Sequence, residues 1–117
     1  MNANKLIRKT IKNHKGNLHL FGNILKNFKL KRIFIIDSKK KLIRGEHGHK
    51  KTNQIFISLN DKVKLLIIRD NKKIVTLNKN QAILIPKKNW VRIQFQNNKS
   101  SLIVLSDRDF DPNDYFY

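Results

Sequence analysis

The chain has no cysteine, a single glutamate (Glu46), two prolines and four glycines among its 117 residues, and no apolar run exceeds five residues. Without cysteine there is no disulfide framework, no thiol nucleophile and no Cys-ligated zinc or iron–sulfur site. Runs this short fall far below the roughly 20 residues that a membrane-spanning helix needs. No apolar stretch follows Met1, so a secretory signal is not expected. A cytoplasmic protein is the expectation. The length suits one domain over residues 1–117, since domains typically take ~100–200 residues. An apolar fraction of 39%, gathered into Ile/Leu/Val/Phe clusters, is enough for a core and argues against a disordered chain.

The scarcity of acid is as marked. Lys and Arg number 26 against 8 Asp and Glu, a net charge of +18. Such a balance is the electrostatic footprint of a polyanion binder. However, Lys, Asn and Ile together make up 51 of the 117 residues. All three have A/T-rich codons, so genome composition raises lysine without selection for nucleic acid. A nucleic-acid binder would also interleave aromatics with basic residues on a strand surface, whereas here the phenylalanines fall mostly on the apolar phase of strands. Nucleic acid and membrane are therefore not expected partners. A small anion such as a nucleotide diphosphate suits the charge equally well.

The apolar residues recur at every second position. Val91, Ile93 and Phe95 alternate with Arg92, Gln94 and Gln96, and Ile55, Ile57 and Leu59 do the same, which is the period of a half-buried strand. Further strand runs are expected at Lys31–Ile36, Val63–Arg69, Ile74–Leu77, Ala82–Ile85 and Ser101–Leu105. Turn chemistry separates them at Lys15-Gly16-Asn17, Asn60-Asp61, Asp70-Asn71, Asn78-Lys79-Asn80 and Pro86 to Asn89. Lys5–Ile11 reads as a short helix or as an edge strand. About ten short strands at this spacing predict an all-β sandwich or barrel. The first four or five residues and the tail after Pro112 are expected to fray.

Of the four histidines, His14 reads as a loop residue and His19 as an ordinary strand residue. The segment Arg44-Gly45-Glu46-His47-Gly48-His49-Lys50-Lys51 differs. Residues i and i+2 of a strand share a face, so His47 and His49 project together. Two imidazoles that titrate near neutrality, flanked by cations, suit acid/base chemistry on an anionic substrate. A His-x-His strand in a small β-barrel also fits a metallo-cupin, which requires further ligands. Position 54 is glutamine, and the strand after Pro86 offers Trp90-Val91 without a histidine, so no metal and no cofactor is expected.

The string from Arg44 to Lys51, followed by Gln54, resembles the signature of the sugar nucleotide 3,4-ketoisomerases, which are metal-free cupins. The flanks agree in order: Lys15-Gly16-Asn17-Leu18, the Phe28–Arg32 lead-in to a strand, Pro86 with Trp90, and a terminal Asp111-x-x-Asp114-Tyr115. The resemblance implies a cupin-type jelly-roll, a homodimer with shared strands, and isomerisation of dTDP-4-oxo-6-deoxyglucose to a 3-oxo sugar for surface glycans such as lipopolysaccharide. It implies His47 and His49 as the catalytic pair, with Arg44, Lys50, Gln54, Arg32 and Trp90 at or beside the substrate. Two departures stand out. The family usually has tyrosines where this chain has Ile33-Phe34-Ile35, and often Trp-His where it has Trp90-Val91. The missing strand hydroxyl leaves a second reading open, a nucleotide-sugar-binding cupin without turnover that partners a pathway enzyme.

Overall fold

The computed structural model describes residues 1–21, 27–38, 42–97 and 99–117. Twelve strands follow one another: β1 (Asn4–Lys5), β2 (Arg8–Asn13), β3 (Gly16–Phe21), β4 (Arg32–Asp37), β5 (Leu42–His49), β6 (Gln54–Ser58), β7 (Val63–Ile68), β8 (Lys72–Leu77), β9 (Ala82–Ile85), β10 (Trp90–Phe95), β11 (Ser101–Ser106) and β12 (Tyr115–Phe116). A 3-10 turn, Pro112–Asp114, precedes the last. One five-stranded sheet runs β1-β9-β6-β11-β4, the other runs β12-β5-β10-β7-β8, and β2 pairs only with β3. Every pairing is antiparallel. This is an all-β jelly-roll of the cupin type. Among the described residues no helix is long and apolar enough to cross a membrane.

The two sheets meet because alternation gives each an apolar inner face. Val91, Ile93 and Phe95 of β10, Val63, Leu65 and Ile67 of β7, and Leu102 and Val104 of β11 lie in one buried cluster. Phe95 is fully buried, and emptying such a site typically costs about 3–5 kcal/mol. Asp70-Asn71 does join β7 to β8 as a hairpin. Lys5–Ile11 resolves as edge strand: Asn4 and Lys5 pair with β9, and Arg8 onward forms β2.

The expectation of frayed ends was wrong at both termini. Ala3 is buried, Asn89 Nδ2 and Arg69 Nη1 both donate to the Met1 carbonyl, and Lys73 Nζ donates to that of Ala3. At the other end Asp111 caps the 3-10 turn, accepting from Asn113 N, while Asp114 is buried and Tyr115 and Phe116 pair with His49 and Gly48. Polarity misled in both places, because the polar groups of these segments are spent on tertiary hydrogen bonds rather than on water.

Candidate active site

β5 carries the site, and its geometry depends on one irregularity. Pairing with β10 runs Trp90–Gly48 and Val91–His47, then slips to Arg92–Gly45 and Ile93–Arg44, which leaves Glu46 unpaired. Gly45 and Glu46 adopt φ of 81° and 61°. An extra residue in one strand bends it and shifts the side-chain phase by one. Strict alternation would put Arg44 on the opposite face from His47. The bulge brings Arg44, His47 and His49 to one face, around a cavity of about 180 Å³ between the sheets. A side chain at Gly45 would be strained by the positive φ and would meet the Val91 carbonyl oxygen at 2.9 Å.

The two imidazole centres lie 5.3 Å apart at a 75° tilt. His47 Nδ1 is 3.1 Å from the Gly45 carbonyl oxygen, and His49 Nδ1 is 3.1 Å from Asp114 Oδ2. Each ring thus presents Nε2 without a hydrogen-bond partner among the described residues. Burial pushes the His49 pKa down; the hydrogen bond and charge of Asp114 push it up, while His47 and Arg32 push it down, and the net is a value below the ordinary histidine range. Burial alone would raise the Asp114 carboxyl, but hydrogen bonds from Thr52 Oγ1, Lys51 N and His49 outweigh it and hold the group below the usual aspartate value.

The rest of the wall is mainly apolar: Phe34 and Ile36 of β4, Phe56 of β6, Ile85, Val91, Ile93 and Val104. Gln54 joins it with Nε2 donating to Ser106 Oγ at 3.0 Å, and its side-chain oxygen has no hydrogen-bond partner among the described residues. Three expected positions do not line this cavity. Lys50 follows the end of β5 and is exposed. Trp90 sits on the outward phase of β10, opposite in sense to Val91, and borders a shallow groove with Ile68, Arg69 and Tyr117. Arg32 stands at the cavity's edge, its guanidinium 5.2 Å from the Phe34 ring centre and 5.7 Å from that of Phe110, close enough for its charge to act on His49. Among the described residues no three His, Cys, Asp or Glu side chains are placed to hold a metal ion.

The family model FdtA, described as WxcM-like, C-terminal, matches residues 2–117. The chain belongs to this family. No curated protein matches its sequence significantly. Among solved structures it is similar to QdtA, a sugar 3,4-ketoisomerase from Thermoanaerobacterium thermosaccharolyticum in complex with TDP, at 31% identity and a TM-score of 0.86, covering 98% of this chain and 87% of that one. A 3,4-ketoisomerase from Helicobacter canadensis matches at 28% identity and 0.86, covering 99% and 90%. WlaRA, a TDP-fucose-3,4-ketoisomerase from Campylobacter jejuni, matches at 30% and 0.84, covering 100% and 90%.

Within this FdtA-type fold the residues that the sequence reading passed over are Asp114 and Tyr115. Their motif was in view, but only pairing of β12 with β5 brings them to the histidines. The Tyr115 ring stacks on His47, with centres 4.5 Å apart at 23°, and meets the edge of His49 at 4.6 Å. It borders the cavity and bears a hydroxyl without a hydrogen-bond partner among the described residues, whereas the Thr52 hydroxyl is spent on Asp114. A hydroxyl absent from β4 is thus present on β12. Two imidazoles with open Nε2 atoms, a nearby guanidinium and a largely apolar wall can move protons on a bound sugar and stabilise negative charge as it develops.

Proposed function

We propose that the protein is a sugar nucleotide 3,4-ketoisomerase that converts dTDP-4-oxo-6-deoxy-D-glucose to a dTDP-3-oxo-6-deoxyhexose. The pair of imidazoles with open Nε2 atoms in an apolar cavity carries this reading. One imidazole removes the C-3 proton; the bond electrons form the C-3=C-4 double bond, and the C-4 oxygen takes up a proton to give an enediol. The C-3 hydroxyl then yields its proton as the ketone forms there, and C-4 is protonated. The step is a net isomerisation that needs no oxidant. The second imidazole serves the oxygens, and Arg44 offsets charge on the enediolate.

Sites for whole drug-sized ligands typically measure ~300–1,000 Å³, so a cavity of about 180 Å³ suits the sugar ring alone. The diphosphate and base lie beyond the rim, where Arg44 and Arg32 supply cations and an Arg–phosphate pair is charge-assisted. Gln54 offers an acceptor to a sugar hydroxyl. Lys50 and Trp90 take no part within the cavity. The reaction belongs to cytoplasmic deoxysugar synthesis for surface glycans such as lipopolysaccharide, and the working unit is a homodimer. The β2–β3 hairpin, with Leu18 54% and Leu20 42% exposed, supports the dimer as an apolar surface that a second copy covers.

Phe34 on the cavity wall favours the second reading, a nucleotide-sugar-binding protein without turnover. Incubation with dTDP-4-oxo-6-deoxyglucose in D2O, followed by NMR, separates the two. The isomerase gives a 3-oxo product with deuterium at C-4. Unchanged substrate that still binds supports the second reading.

A further inference from the structure

A carboxylate that is 4% exposed in a chain otherwise rich in cations calls for a reason. Asp114 has no Lys or Arg side chain as a partner among the described residues. It spends Oδ1 on the Lys51 backbone N–H at 2.6 Å and Oδ2 on the Thr52 hydroxyl at 2.5 Å, and Oδ2 also faces His49 Nδ1 at 3.1 Å. Its own backbone is held on both sides, with Lys50 N donating to its carbonyl and its N–H donating to that of Asp111. The carboxylate therefore has almost no freedom to turn away. Backbone bonds and the pairing of Tyr115 and Phe116 already tie the strap to β5, and the carboxylate adds its contact with His49 to that docking.

From this geometry we infer that Asp114 is a positioning residue for the proposed isomerisation, holding His49 as the Nδ1–H tautomer so that an unprotonated Nε2 faces the cavity. The inference rests on the isomerase reading for its consequence, not for its geometry. An ionised carboxylate only accepts hydrogen bonds, so the nitrogen facing it must carry the proton. The lone pair is then on Nε2. The same contact fixes the ring's rotation and supports a positive charge whenever His49 holds a second proton during turnover. Groups facing His49 are Asp114 and Tyr115 from the strap, Thr52 beyond the strand end, His47 on the same strand and Arg32 on β4. Of these, Asp114 alone is anionic. His47 has only a backbone carbonyl behind its Nδ1, so the two imidazoles are not equivalent.

Asp114→Asn tests this sharply. The Lys51 N–H can only donate, so the amide oxygen must face Lys51 and the amide NH2 must face His49. Nδ1 then becomes the acceptor and the proton moves to Nε2, the wrong nitrogen for a base. The expected result is a kcat at least about 10²-fold lower with KM little changed, and long-range proton–nitrogen NMR showing His49 switched from the Nδ1–H to the Nε2–H tautomer. Unaltered kcat overturns the inference. So does a lost kcat with the tautomer unchanged, which would make Asp114 merely structural. Should the variant not fold, the tautomer of His49 in the unaltered protein decides: Nε2–H at neutral pH overturns the inference. If the unaltered protein binds the nucleotide sugar without isomerising it, the isomerase reading fails while the tautomer switch still supports the role of Asp114.

Discussion

The β2–β3 hairpin has two six-residue strands, and none of their residues is buried. The C-terminal strap, three residues of 3-10 turn and two of strand, buries Asp114 and lays aromatic rings over Gly48 and both histidines. The hairpin's strands pair only with each other, which leaves the outward half of their backbone groups open, and the hairpin touches the sandwich through side chains. His19 Nε2 lies 3.2 Å from Asn80 Nδ2, and Arg8 Nη1 donates to the Asn80 carbonyl at 2.9 Å. The strap closes its 3-10 turn on Asp111, but its strand and its carboxylate are completed by β5 and the residues just after it. The strap is drawn into the site because its strand adds to the edge of β5, whereas the hairpin pairs with neither of the large sheets.

The contrast can be broken hardest at the residues the strap encloses. Replacing His47 or His49 with Asn is expected to cut turnover at least about 10²-fold while leaving the thermal midpoint and dTDP binding near those of the parent; calorimetry and a product assay check both halves. Next in size is Gly48→Ala. Its new Cβ would lie 2.3 Å from Phe116 Cζ and 2.6 Å from the Asn89 carbonyl oxygen. Displacing the strap should cost about 1–3 kcal/mol in a thermal melt and lower turnover without altering any reacting group.

Acid should separate the two regions in another way. The pKa of His49 lies below its ordinary value of 6.5, so the folded chain takes up that proton only at lower pH than the unfolded chain does. Between the two values the unfolded state binds more protons, and stability falls as pH falls through that window. The acid limb of kcat/KM set by His49 should therefore lie below 6.5, and in His49→Asn the corresponding loss of stability should vanish. A pH series of melts and initial rates measures both.

On the hairpin the expected effects are smaller. Leu18→Ser with Leu20→Ser should change chain stability by only about 0.5 kcal/mol or less, since both side chains are exposed. Light scattering should nonetheless show the proposed dimer giving way to a 13.9 kDa particle. Smallest of all, exhaustive dialysis against a chelator should leave turnover unchanged; activity that is lost and then restored by zinc, manganese or iron would break the acid/base reading.

Much of the sheet framework was legible because alternation is a local property. Ala82–Ile85 appears with the expected bounds, and β7, β10 and β11 within a residue or two. Of the residues that line the cavity, the His-x-His pair and Gln54 were singled out from spacing and resemblance together. Trp90 lies outside the cavity because its neighbour Val91 holds the inward phase of β10.

By itself the sequence determined that the chain folds into antiparallel sheets, and that His47 and His49 share a face. Both follow from the two-residue period, which each strand carries within itself. Tertiary structure decided the rest of the site. Arg44 reaches the histidines only because β5 slips by one residue against β10, and that register is a property of the pair of strands. Asp114 lies 65 residues from His49 along the chain and meets it at 3.1 Å. No local pattern encodes such a contact, since a buried carboxylate finds its partners only where the closing of the fold brings donors to it.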